Sequence, residues 1–131
     1  MSTDGFLYGY IVNEEDYPGN AAIIRENTEG DWVYVILKGK VKVKKNTPKG
    51  MVTLATLKKG AIFGEMAMFD KVKKRRTATI IADGPVKIGV LDRERLDKEF
   101  ESLSPQLKGL IKTLLIKLEK TTKQASLIAV G

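Results

Sequence analysis

The chain has 131 residues, enough for one domain with its own core, and carries a formal net charge of +7. It contains no cysteine and no histidine, which excludes disulfides, thiol nucleophiles, histidine general bases and imidazole or thiolate metal sites. No apolar run reaches the length of a membrane span, and the opening MSTDGFLYGYIV has no basic region before an apolar signal core, so a cytoplasmic location is expected.

Pro18-Gly19 reads as a turn, followed by a short strand from Ala21 to Arg25. Trp32 to Leu37 is apolar on both alternations, the pattern of a strand covered on both faces, and Gly39 is expected to turn it. Lys40 to Lys44 alternates lysine with valine, which predicts a strand with one solvent face and one core face. Residues 46–50 then form a hairpin loop and Met51 to Leu57 returns as a strand. A turn at Lys58-Lys59-Gly60 leads to Ala61–Phe63. Thr77 to Ala82 is a strand, Asp83-Gly84-Pro85 a turn, and Val86 to Leu91 the last strand. Many short strands at regular turn spacing predict a jelly roll over about residues 13–91.

Two helices are expected to follow, over about residues 92–124. Asp92 is placed as an N-cap, with Leu96, Phe100 and Leu103 at helical spacing. Ser104-Pro105 starts the second helix, whose Leu107, Leu110, Ile111, Leu114, Leu115 and Leu118 make a broad apolar stripe. That helix either packs on its own roll or serves as a mobile element. Ser126 to Gly131 is expected to fray.

The chemistry concentrates in residues 64–82, GEMAMFDKVKKRRTATIIA. Gly64 lets backbone come close to a ligand, and Glu65 offers acceptors to sugar hydroxyls. The N–H groups of Met66 and Ala67 stand where a one-turn helix would begin and would point at an anion. Arg76 can grip two phosphate oxygens at once, and Thr77 adds a hydroxyl beside it.

Order and spacing make this stretch resemble the phosphate-binding cassette of the cyclic nucleotide-binding domain family, with Gly64-Glu65-Met66-Ala67-Met68 and Arg76-Thr77-Ala78-Thr79-Ile80-Ile81-Ala82 as its halves. Upstream, Ile23-Ile24, Gly30, Val33-Tyr34-Val35-Ile36 and Gly39 match a second signature of the family. Asn27 stands where glycine is usual, and asparagine tolerates the left-handed backbone best among other residues. The resemblance implies a mainly β double-stranded β-helix, or jelly-roll, cyclic nucleotide-binding fold followed by two helices, as a single domain over 1–131. It implies that Glu65, with Gly64, takes the ribose 2′-hydroxyl, while Arg76, Thr77 and the amides of Met66 and Ala67 hold the cyclic phosphate. Arg75 is a second candidate for the phosphate role. Threonine after the arginine suits cGMP and also occurs in cAMP binders, so the ligand stays open between the two.

Charge is uneven: −6 over residues 1–37, +11 over 38–76 and +2 over 77–131. Lys71, Lys73, Lys74 and Arg75 would raise the positive potential at the mouth of a phosphate site. Nucleic acid is not the expected partner, because no aromatic stacking face is interleaved with the basic run. Without a helix-turn-helix after the long helix, the preferred expectation is a non-catalytic cyclic nucleotide sensor, with no metal or cofactor. It would pair as a homodimer through its C-terminal helix and pass its signal to an unknown protein partner. The alternative is a ligand-free interaction or dimerisation module with a vestigial pocket.

Overall fold

A computed structural model describes residues 8–28, 30, 32–64, 76 and 78–130, with side chains described to 118 and at 120. A 3-10 turn, Tyr8–Tyr10, precedes six strands: β1 Ile11–Tyr17, β2 Ala22–Ile24, β3 Tyr34–Thr47, β4 Gly50–Lys58, β5 Ile62–Phe63 and β6 Thr79–Leu91. Two helices follow, α1 Arg93–Glu101 and α2 Pro105–Val130.

Among the described residues the strand pairs are all antiparallel, in the order β1-β6-β3-β4, with β2 added to β6 and β5 to β3. The two long strands each serve twice. The second half of β6 lies between β1 and the start of β3, while its first half lies between β2 and the lysine-rich part of β3. The sheet thereby divides into two ribbons that share β3 and β6, which is the jelly-roll arrangement.

Gly39 and Asp83-Gly84-Pro85 do not end strands, contrary to the sequence expectation. β3 and β6 run through them, and pairing resumes beyond, from Ile36↔Ile88 and Lys38↔Lys87 to Lys40↔Asp83, with register shifts on either side of Lys38. Gly39 has φ +82°, and a β-carbon there would stand 2.5 Å from the Pro85 carbonyl oxygen. The glycine permits a close crossing of the two strands while their ladder continues. Other bounds shift by a few residues. β1 begins at Ile11, β3 at Tyr34 and β6 at Thr79, the hairpin narrows to Pro48-Lys49 between paired Thr47 and Gly50, and α2 continues to Val130.

The double-sided apolar pattern of residues 33–36 is realised literally. Tyr34 and Ile36 enter a core with Ile24, Val41, Phe63, Ile80 and Ile88, whereas Val33 and Val35 turn to the other face with Leu91. Tyr34 and Phe63 stack with ring centroids 5.1 Å apart. Leu96 carries α1 onto the second cluster. Asp92 caps α1 by accepting from the Arg95 N–H at 3.1 Å, and Ser104 caps α2 by accepting from the Leu107 N–H at 3.2 Å.

Helix α2 touches β3 and β4. Ile111 and Leu115 are half-buried, while Leu107, Leu110, Leu114 and Leu118 stay exposed. One edge of the stripe therefore rests on the roll and the other faces outward.

Candidate functional site

The backbone of Arg76 is fixed before its side chain acts. Its N–H donates to the Thr28 carbonyl at 2.8 Å and its carbonyl accepts from the Asn27 N–H at 2.9 Å, a two-bond bridge to the turn after β2. Asn27 sits at φ 66°, the left-handed conformation expected of it. Asparagine thus fills the role of the usual glycine.

From that bridge the side chain turns inward, and Arg76 is only 6% exposed. Nη1 donates to the Gly64 carbonyl and Nη2 to the Trp32 carbonyl, each at 2.9 Å. A β-carbon at Gly30 would lie 2.9 Å from Nε, so Gly30 leaves the space that the guanidinium fills. Gly64 itself has φ +85°, and a β-carbon there would meet the Trp32 carbonyl oxygen at 2.8 Å. Glycine is required at both positions, at the first for room and at the second also for backbone conformation.

The guanidinium borders a cleft of about 280 Å³ that is also lined by Ile24, Arg25, Thr28, Gly30 and Trp32. Because arginine keeps its charge at any ordinary pH, the cleft holds a permanent cation whose plane is set by two carbonyls. Such a fork suits a phosphate or carboxylate group. Among the described residues, no cluster of acidic side chains has the arrangement of a metal site.

Of the residues singled out in the sequence, Gly64 and Arg76 are brought together. Glu65, Met66, Ala67 and Thr77 lie outside the described residues, as does the basic cluster Lys71–Arg75. Trp32, expected inside a strand, stands instead before β3 with 49% of its surface exposed at the cleft. Its part as a carbonyl acceptor leaves no trace in side-chain pattern. Glu26 and Lys45 also emerge only in three dimensions, as an ion pair of 3.2 Å with both side chains largely buried. Lysine at 45 breaks the alternation of residues 40–44, which is the signal that could have drawn notice.

Comparison with known proteins bears on this geometry. The profile of the cyclic nucleotide-binding domain matches residues 14–102. A CRP-like cAMP-activated global transcriptional regulator of Mycobacterium tuberculosis is 29% identical over 107 residues, an alignment covering 81% of this chain and 47% of the regulator. The cGMP-dependent protein kinase 2 of Mus musculus is 38% identical over 107 residues, covering 76% of this chain and 14% of the kinase. The cAMP-bound structure of the EAL enzyme Bd1971 superposes with a TM-score of 0.79 at 25% identity, covering 90% of this chain and 31% of that one. The chain thus spans half or less of these relatives' lengths.

Proposed function

The chain belongs to the cyclic nucleotide-binding domain family, and on that footing we propose that it is a non-catalytic sensor whose cleft takes cAMP or cGMP. Arg76 receives the cyclic phosphate. Thr77 and the amides of Met66 and Ala67 complete the phosphate grip, and Glu65 beside Gly64 takes the ribose 2′-hydroxyl. The observation that carries this reading is the burial of Arg76 with its fork held by the carbonyls of Gly64 and Trp32. Neutral carbonyls orient the cation, and a phosphate adds the attraction of a full opposite charge to the hydrogen bonds of the fork.

The output in this reading is a shift of α2 between two states that bind nucleotide unequally, since only differential affinity moves an equilibrium. The exposed face of α2, with Leu107, Leu110, Leu114 and Leu118, is the surface through which two copies pair in the cytoplasm. The same face favours the second reading, an interaction or dimerisation module in which the cleft stays empty. Neither reading needs a DNA-binding module.

Trp32 is the single tryptophan of the chain and lines the cleft, so its fluorescence reports occupancy. Titration of nucleotide-stripped protein with cAMP or cGMP is expected to give a saturable change that Arg76→Ala shifts to ten- to a hundredfold or more higher nucleotide concentration, roughly the worth of a charge-assisted fork. A flat trace with both nucleotides would favour the module without ligand.

A further inference from the structure

We infer that Glu26, paired with Lys45, is a positioning residue for Arg76: it anchors the turn to which the backbone of the arginine is bound. The consequence for ligand affinity rests on the cyclic-nucleotide reading of the cleft. The turn follows β2 and is closed by Arg25, whose carbonyl accepts from the N–H and Oγ1 of Thr28 at 3.3 and 2.6 Å. Arg25 and Thr28 both line the cleft. Glu26 and Asn27 stand between them, and the Asn27 N–H and the Thr28 carbonyl make the two bonds to Arg76.

Glu26 is held from two strands at once. Its N–H donates to Oγ1 of Thr79, the first residue of β6, at 3.0 Å. Its Oε1 accepts from the Asn46 N–H at 2.8 Å and its Oε2 meets the Lys45 ammonium at 3.2 Å, both on β3. The last β3–β6 pair is Lys44↔Thr79. Just beyond it, the carboxylate ties β3 to the turn.

The anchor has a use at Asn27. That residue sits at φ 66°, a conformation that a residue other than glycine keeps only when its surroundings impose it. Glu26 fixes it on one side and the bridge to Arg76 on the other. Stability alone does not call for an ion pair here. The Lys45 and Glu26 side chains are 15% and 13% exposed, and two charges withdrawn from water return little over an apolar pair of like size. What an apolar pair lacks is the directed bond to the Asn46 N–H, and with it a set position for the turn. A displaced turn carries Arg76 along, and a displaced fork meets a phosphate with poorer geometry.

The test compares two double variants of the full chain. Glu26→Leu with Lys45→Met makes an apolar pair of similar size, whereas Glu26→Gln with Lys45→Met keeps an amide oxygen as acceptor for the Asn46 N–H. In urea the apolar pair is expected to unfold at a midpoint no lower than the parent's. In that variant, hydrogen exchange of the Arg76 amide, followed by NMR without nucleotide, should quicken about fivefold or more. Its affinity for whichever of cAMP and cGMP the parent binds more tightly should fall by about the same factor, the scale of one hydrogen bond. The variant with Glu26→Gln should recover most of both. Exchange and affinity within about twofold of the parent in the apolar variant, no recovery with Glu26→Gln, or losses that only follow a lowered midpoint overturn the inference. Arg76→Ala separates this inference from the reading of the cleft: binding weakened there but not in the apolar variant upholds the cleft and overturns the anchor. If the parent binds neither nucleotide, the reading of the cleft falls, while quickened exchange still upholds the anchoring of Arg76.

Discussion

Arg76 donates from Nη1 to the carbonyl of Gly64 at 2.9 Å, so residues twelve positions apart that open the two halves of the cassette are tied directly to one another. The second donation, to Trp32, ties both to the segment before β3. The arginine is therefore a structural joint even without ligand. Arg76→Ala leaves two carbonyls without this donor and is expected to lower unfolding free energy by about 1–3 kcal/mol in nucleotide-free protein. Arg76→Lys should recover only part of it, because a single ammonium does not reproduce a planar fork. Urea unfolding of the three proteins checks this, and equal midpoints would contradict it.

Gly30→Ala isolates the placement of the guanidinium. Its added methyl would stand 2.9 Å from Nε and 3.1 Å from Nη2. Gly30 has no left-handed backbone to lose, so the damage falls on the fork. Stability should drop by about 1 kcal/mol, the worth of one displaced hydrogen bond, while nucleotide affinity falls roughly tenfold. Unaltered affinity with reduced stability would mean that the fork's position is not what the ligand senses.

The two sides of the α2 stripe should respond differently. Leu110→Glu with Leu114→Glu alters exposed positions and is expected to convert a dimer to a monomer in sedimentation equilibrium, with monomer stability changed by no more than about 0.5 kcal/mol per site. Ile111→Ala and Leu115→Ala alter the half-buried edge and should each cost about 1–2 kcal/mol of folding stability. A parent that sediments as a monomer would contradict the pairing role.

Alkaline stability carries a signature of Tyr17. Burial, then donation to Glu15 at 3.0 Å, then the Glu15 charge push its hydroxyl from 10.0 up to about 12. The folded state favours the protonated phenol, so this stabilisation is complete below pH 10 and is lost as pH rises through 12. With solvent screening it amounts to at most about 1 kcal/mol. The stability difference between parent and Tyr17→Phe should shift by that amount between pH 10 and 12, and a constant difference would exclude the linkage.

Much of this molecule is legible in its sequence because local and global signals agree. Double-sided apolarity at Val33–Ile36 marks the strand that feeds both clusters, and Asp92 and Ser104 mark both helix starts. Glycine was the less transparent signal. The same residue that ends a strand elsewhere lets β3 and β6 bend and cross here at Gly39 and Gly84, and only the partner strand decides between the outcomes. In the site, Arg76 and Gly64 are readable from their spacing. The carbonyl of Trp32 is not, because backbone acceptors belong to every residue and only folding selects which one meets the guanidinium. The Glu26–Lys45 ion pair was hidden for a similar reason, its members standing nineteen positions apart in the sequence.

The most direct test of the central claim is calorimetric titration of nucleotide-stripped protein with cAMP and, separately, cGMP, repeated on Arg76→Ala. Saturable binding of at least one nucleotide by the parent, weakened ten- to a hundredfold or more in the variant, is the expected result. Absence of binding by the parent at millimolar nucleotide, or equal binding by the folded variant, would contradict the assignment of Arg76 as the phosphate-binding residue of a nucleotide sensor.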